Sequence, residues 1–229
     1  MLATVATAQS TTSAVPGLRL PRNVLPVAYA PTLTIDPGKP TFDAVIEIDV
    51  RIETATDRIW INARDLKIGS ATAMIAGPGK QARTATVVPG TEDVIGLQFD
   101  APLPTGPAKL VLHYSAPIEA INALGVFRQQ DQDRWYVLTQ FEPLDARRAF
   151  PCFDEPDMKA PWRLTLRVPV GGDGATLFDA VVEVAVSSQD ANEREDVLKA
   201  LGSFRDPPLL DRALALDARF NPRDSTAPR

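Results

Sequence analysis

Histidine and cysteine are nearly missing from this chain: each occurs once, as His113 and Cys152, among 229 residues. One cysteine excludes an internal disulfide. A thiol–imidazole pair would depend on the single histidine, and His113 falls on the polar side of a strand pattern, away from the apolar side. Cys152 therefore reads as a small buried apolar residue, and His113 as a surface or edge residue. No run approaches the roughly 20 apolar residues that span a bilayer. Basic residues form no dominant patch and the formal net charge is −5, so the chain offers nothing to nucleic acid. A P-loop, a dinucleotide fingerprint and a nucleophile elbow are absent as well.

What is present is β grammar. Hydrophobic residues make up 45% and charged residues 23%, an ordinary balance for a globular chain, and 21 prolines fall between short β-branched runs. Ala44, Ile46, Ile48, Val50 and Ile52 alternate with Asp43, Glu47, Asp49 and Arg51, the period of a half-buried strand. Val45 breaks the polar side, which predicts partial cover on the outer face. Arg58 to Asn62, Thr84 to Val88 and Val94 to Phe99 read as further strands. Leu110, Leu112 and Tyr114 line one face of another, with Lys109 and His113 opposite. Gly77-Pro78-Gly79 and Pro104-Thr105-Gly106-Pro107 mark turns. The fold class expected is mainly β, an antiparallel sandwich or saddle-like sheet, followed by a short helical segment.

Three regions are expected. Residues 1–17 fit either the remnant of a secretory signal, with Ala6-Thr7-Ala8 resembling a signal-peptidase site, or a disordered tail. The first alternative leans the location toward periplasmic or secreted. Residues 18–169 carry the strands. Residues 170–229 change grammar after Gly171-Gly172-Asp173-Gly174. Phe178, Val181, Val182 and Ala185 follow helical spacing, and Asp190 with Glu193 forms a capping box before Val197, Leu198, Leu201 and Phe204. Asp206-Pro207 restarts a helix that Leu209, Leu210, Ala213, Leu214 and Asp217 continue and Asn221-Pro222 ends. Such helices in series fit a helical-repeat segment.

The chemistry concentrates between Trp135 and Val168. Gln140 and Glu142 sit two apart and share a face if the strand continues. The pair fits two readings, a site for a cationic amine and a peptide group, or two solvated side chains. Asp154, Glu155 and Asp157 lack the ligand spacing of a calcium loop and have Pro156 in their midst. A turn whose carboxylates pair with Arg147 and Arg148 is the better reading.

Thr139-Gln140-Phe141-Glu142-Pro143 followed by Asp145-Ala146-Arg147-Arg148-Ala149-Phe150-Pro151-Cys152-Phe153-Asp154-Glu155-Pro156 resembles the aminopeptidase N family of zinc metallopeptidases. Leu20-Pro21 and Pro26-Val27-Ala28-Tyr29 resemble the opening of that family's saddle-shaped N-terminal β domain, so the likeness covers about Leu18 to Val168. The resemblance implies that Glu142 holds the amino terminus of a peptide and that Gln140 lines the first specificity pocket. Gly172 to Phe178 and Leu198 to Asp206 are similar to the helical-repeat domain that closes longer members. The family's two-histidine zinc helix and its Gly-x-Met-x-Asn loop have no counterpart here, since neither Met74 nor Met158 has the right neighbours.

The expectation that follows is a truncated or internally deleted aminopeptidase that binds no zinc, has no catalytic or metal-ligating residue of its own, and does not hydrolyse peptides alone. The alternative is a non-catalytic β module that binds peptide ends or a protein partner. A separately encoded catalytic domain is a further candidate partner. On the first reading an exposed apolar patch is expected near Phe141, Phe150, Phe153 and Trp162, where the missing domain would have packed.

Overall fold

The structure, a computed structural model, describes residues 14–76, 81–132, 134–168, 174–187, 201 and 207–220. The chain divides into two compact units, Met1–Pro169 and Val170–Arg229. Within the first, the described residues form β1 (Val24–Thr34), β2 (Thr41–Ile52), β3 (Thr56–Asn62), β4 (Lys67–Ile75) and β5 (Gln81–Pro89). They continue with β6 (Val94–Leu103), β7 (Gly106–Pro117), β8 (Gly125–Asp131), β9 (Arg134–Gln140) and β10 (Thr165–Arg167). Eight of these strands make one sheet in the order β10-β1-β2-β7-β4-β5-β6-β3, while β8 and β9 pair only with each other. Every pairing is antiparallel except that of β1 with β10. β5 changes partner midway, lying on β4 through Gln81 to Ala85 and on β6 from Thr86 to Pro89. One strand thus belongs to both halves of a curled sheet.

Alternation explains the centre of that sheet. On β2, Phe42, Ala44, Ile46, Ile48, Val50 and Ile52 are all buried, and on β7 Leu110, Leu112, Tyr114 and Ala116 face the same core. The two strands pair over their whole length, Ile46 opposite Leu112 and Ile48 opposite Leu110. Each fully buried aliphatic side chain of this kind contributes about 1.5–3 kcal/mol. Val45 is half-buried, as its break in the polar pattern implies. At the other end, Gly96 on β6 lies between Trp60 of β3 and Val88 of β5. A Cβ there would stand 2.7 Å from Val88 Cγ2 and 2.8 Å from Trp60 Cζ3, so the buried indole needs glycine beside it.

Two strands escape the sequence pattern. β4 buries only the small Ala71 and Ala73 among glycine, serine and threonine, and β8 is largely polar beyond Val126. Neither has the contrast that marks a half-buried strand. Gly77-Pro78-Gly79 lies outside the described residues, whereas Gly106 opens β7 at φ +123°.

In the second unit the described helices are α1 (Gly174–Ser187) and α2 (Pro207–Phe220). Phe178, Leu201, Leu209 and Ala213 are buried together, with Val181, Val182 and Leu216 packed against them. α2 begins at the proline that follows Asp206. Its buried stripe runs Leu209, Ala213, Leu216, at helical spacing, and leaves Leu214, 60% exposed, to one side. The expected capping box at Asp190 and Glu193, and the helix after it apart from Leu201, fall outside the described residues. The described helices establish helical character, not a repeat.

Candidate functional site

The site region is assembled by a hairpin laid over a tight turn. β8 and β9 pair from Gly125 opposite Gln140 to Asp131 opposite Arg134. Gly125 sits at φ +63°, and a Cβ on it would come within 2.8 Å of Arg148 Cβ. Only glycine combines that backbone with so close an approach. β9 ends at Gln140, so Glu142 lies beyond the strand. Gln140 and Glu142 are exposed and Phe141 between them is half-buried, edge-on to Phe150 with ring centroids 5.7 Å apart. Phe150 meets Trp162 edge-on at 5.2 Å, and Trp162 stacks on Tyr29 at 4.1 Å. The Glu142–Pro143 peptide bond is cis. Asp145 N–H then donates to Phe141 O at 2.8 Å and opens the 3₁₀ turn Asp145–Arg148.

Behind the turn the chain is fastened at nearly every residue. Arg147 is buried and donates from Nε and Nη2 to Asp154 Oδ2, at 3.0 and 2.7 Å, and from Nη1 to Asp93 Oδ2 at 3.1 Å. Arg148 donates from Nε to Asp145 Oδ1 at 2.8 Å and from Nη1 to Asp65. Cys152 exchanges backbone hydrogen bonds with Asn62, whose side-chain oxygen accepts from Asp154 N–H at 3.0 Å. Tyr114 O–H donates to Ala149 O at 2.7 Å, and Tyr29 Oη accepts from Phe153 N–H at 3.0 Å. Glu155 accepts from Leu20 N–H at 2.8 Å and faces Arg19, while Asp157 pairs with Arg22. The acidic turn is thus a fastening for the strand that presents Gln140 and Glu142. Of the pairings expected for Arg147 and Arg148, only that of Arg147 with Asp154 forms. Arg148 is drawn instead to Asp65 and Asp145, because the 3₁₀ turn aims it along the hairpin.

The two rare residues are accounted for separately. Cys152 is fully enclosed; burial pushes its thiol up, Asp154 adds to that, and Arg147 works against it. A neutral, enclosed thiol is no nucleophile. His113 is exposed on β7, a central strand between β2 and β4, so it is a surface residue and not an edge one. Among the described residues no three histidine, cysteine, aspartate or glutamate side chains are placed to hold a metal. With His113 the sole histidine, the residues here do not fit a zinc ion of the two-histidine kind.

The apolar patch differs from expectation. Phe150 and Phe153 are buried in the core, because Phe150 packs between Phe141 and Trp162 and the backbone at Phe153 is tied to Tyr29. The exposed apolar side chains are Leu138, Trp162, Leu164, Leu166 and Val168. All but Trp162 line a groove of about 440 Å³ between β9 and β10, floored by Leu33, Ile35, Val126 and Phe150.

The sequence has counterparts among known proteins. The Peptidase M1 N-terminal domain family matches residues 25–177. Aminopeptidase M1 of Arabidopsis thaliana is 33% identical over 158 residues, covering 66% of this chain and 18% of its own length. Aminopeptidase M1-C of Oryza sativa subsp. japonica is 32% identical over 155 residues, with 66% and 17% covered. Aminopeptidase N of Acetobacter pasteurianus is 34% identical over 157 residues, with 66% and 42% covered. The chain spans under a fifth of the two plant relatives. The extent of the match settles the family: this chain belongs to the aminopeptidase N (peptidase M1) family, and what it carries of that family is the N-terminal domain.

Proposed function

We propose that this chain supplies the wall of an aminopeptidase site that holds the amino terminus of a peptide, and that it does not hydrolyse peptides by itself. The observation that carries the reading is Glu142: an exposed carboxylate with no ion pair among the described residues, beside Gln140, on a turn held by Arg147 and Arg148. An ammonium group would meet a carboxylate with no competing cation. Gln140 offers both an amide donor and an acceptor to the first residue of the peptide. Zinc supplies activated water to this class of peptidase, and the residues described here do not fit it.

An exposed carboxylate–ammonium pair is worth only about 0–1 kcal/mol in water. Binding by this wall alone is therefore weak, on the order of millimolar or worse. A titration of a dipeptide amide followed by NMR tests the reading. Shifts at Gln140 and Glu142 are expected, lost in Glu142→Gln and with the amino-acetylated peptide. Equal shifts from the acetylated peptide would count against Glu142 as the anchor. An aminoacyl-anilide assay with added zinc should show no turnover above buffer; turnover abolished by chelation would overturn the second half of the proposal.

A further inference from the structure

We propose that the groove between β9 and β10 is the seat of an extended polypeptide segment, apolar on one side and acidic on the other, that pairs with the open edge of β10. The inference goes beyond the binding of peptide ends and uses none of the same side chains.

Among the described residues β10 ends the eight-stranded sheet, and its only strand partner is β1. Tyr29 N–H donates to Pro161 O, Arg163 N–H to Tyr29 O, and Ile35 N–H to Arg167 O. Odd-numbered residues of this stretch therefore turn their backbone groups toward β1. By the alternation of a strand, those of Leu164 and Leu166 turn toward the open edge. On the other side of the groove β9 pairs only with β8, so both walls end in edge strands among the described residues.

The side chains point to the same conclusion. Trp162, Leu164, Leu166 and Val168 alternate with Arg163, Thr165 and Arg167, the pattern of a strand with one buried face. That face is not buried here: the four residues are 46%, 51%, 59% and 47% exposed. They nevertheless lie on the core side of the sheet. Leu166 sits beside Leu33, which is 2% exposed, and the same groove reaches the buried Phe150 and Val126. The core layer simply stops short of β10. An inserted strand would continue it and satisfy the open backbone groups together, the arrangement of β-augmentation.

Charge selects the occupant. Arg163 and Arg167 are exposed on the opposite face of β10 and take no ion pair among the described residues. A second copy pairing antiparallel about Thr165 would set Arg163 directly against Arg167 of its mate, a like-charge pair that opposes assembly. Arginines on a short edge strand are a device against such self-pairing. A partner strand with glutamate or aspartate at alternate positions meets them with opposite charge instead.

The test uses the full chain and a short peptide alternating glutamate and valine, acetylated and amidated at its ends so that it has no amino terminus for Glu142. Binding is read by tryptophan fluorescence, since Trp162 packs against Phe150 of the groove, and by NMR shifts at Leu164 and Leu166. The proposal expects binding at least about tenfold tighter than for the matching lysine–valine peptide. It expects loss of binding in Leu166→Asp, a residue exposed enough to keep the fold by circular dichroism. The double change Arg163→Glu with Arg167→Glu should reverse the preference, and Glu142→Gln should leave it unchanged. Equal binding of both peptides, no binding of either, or a dimer by light scattering that Leu166→Asp dissociates would each overturn it. Loss of dipeptide binding in Glu142→Gln with the strand peptide still bound would separate the two readings.

Discussion

Three buried groups set how this domain responds to base. Burial pushes the Cys152 thiol and the Tyr29 and Tyr114 phenols above their ordinary ranges. A group whose folded-state pKa is raised stabilises the fold fully below its unfolded value and loses that contribution as pH rises beyond it. The unfolded values are about 8.5 for cysteine and about 10 for tyrosine. Stability should therefore begin to fall near pH 8.5, by about 1.4 kcal/mol per pH unit for one group, and fall more steeply past pH 10 as the tyrosines join. Urea midpoints taken from pH 7.5 to 11 check this. Cys152→Ala should flatten the first segment and leave the second; a wild-type midpoint constant to pH 10 would contradict it.

Arg147 gives a second residue-scale expectation. Its side chain is 9% exposed, while Asp93 and Asp154 are 29% and 30% exposed. Removing a partner from a buried pair costs about 3–5 kcal/mol, and from a surface pair almost nothing. The half-open carboxylates place Arg147→Met between these, at about 2 kcal/mol by urea denaturation. Arg64, within 3.3 Å of Asp93, would relieve part of the loss.

At the scale of elements, what was legible was what the chain writes locally. β2 and β7 show in the sequence because large apolar residues alternate with charge over many positions, and the structure buries those very residues. β4 and β8 do not show, because β4 buries only alanines and β8 is largely polar beyond Val126. The spacing of Gln140 and Glu142 offers them one face of a strand, whereas their exposure is read from the structure. The partners of Arg148 and Arg147 do not, since Asp65 and Asp93 are 83 and 54 residues away in sequence. The same distance effect misplaced the apolar patch: four aromatic residues near one motif suggested one surface, but two of them close the core. Gly96 is a further feature that sequence leaves silent, because the need for it comes from Trp60 on another strand. Gly96→Ala should cost about 1–3 kcal/mol through overpacking, with a blue- or red-shifted Trp60 emission as the local sign. A midpoint unchanged by the substitution would mean the indole has room to move.

For the whole molecule, the two units have separate cores. Every buried member of the first lies between Leu20 and Met158, and those of the second are Phe178, Leu201, Leu209 and Ala213. A chain of the first unit's size buries about two thirds or more of its unfolded surface, enough for a cooperative fold. The second has four buried hydrophobic residues among those described, worth roughly 1.5–3 kcal/mol for each large one. The core of a unit this short rarely supplies more than about 3–5 kcal/mol, so the helical unit is marginal on its own. Ending the chain after Pro169 should then leave the urea midpoint of the β unit within about 1 kcal/mol of the full chain. Val170–Arg229 alone should show no cooperative transition. The slope of the denaturation curve supplies the independent reading, because it scales with the surface exposed on unfolding. A slope unchanged by the truncation means the main transition belongs to the β unit, and a large loss of midpoint and slope together would show that the helices unfold with it.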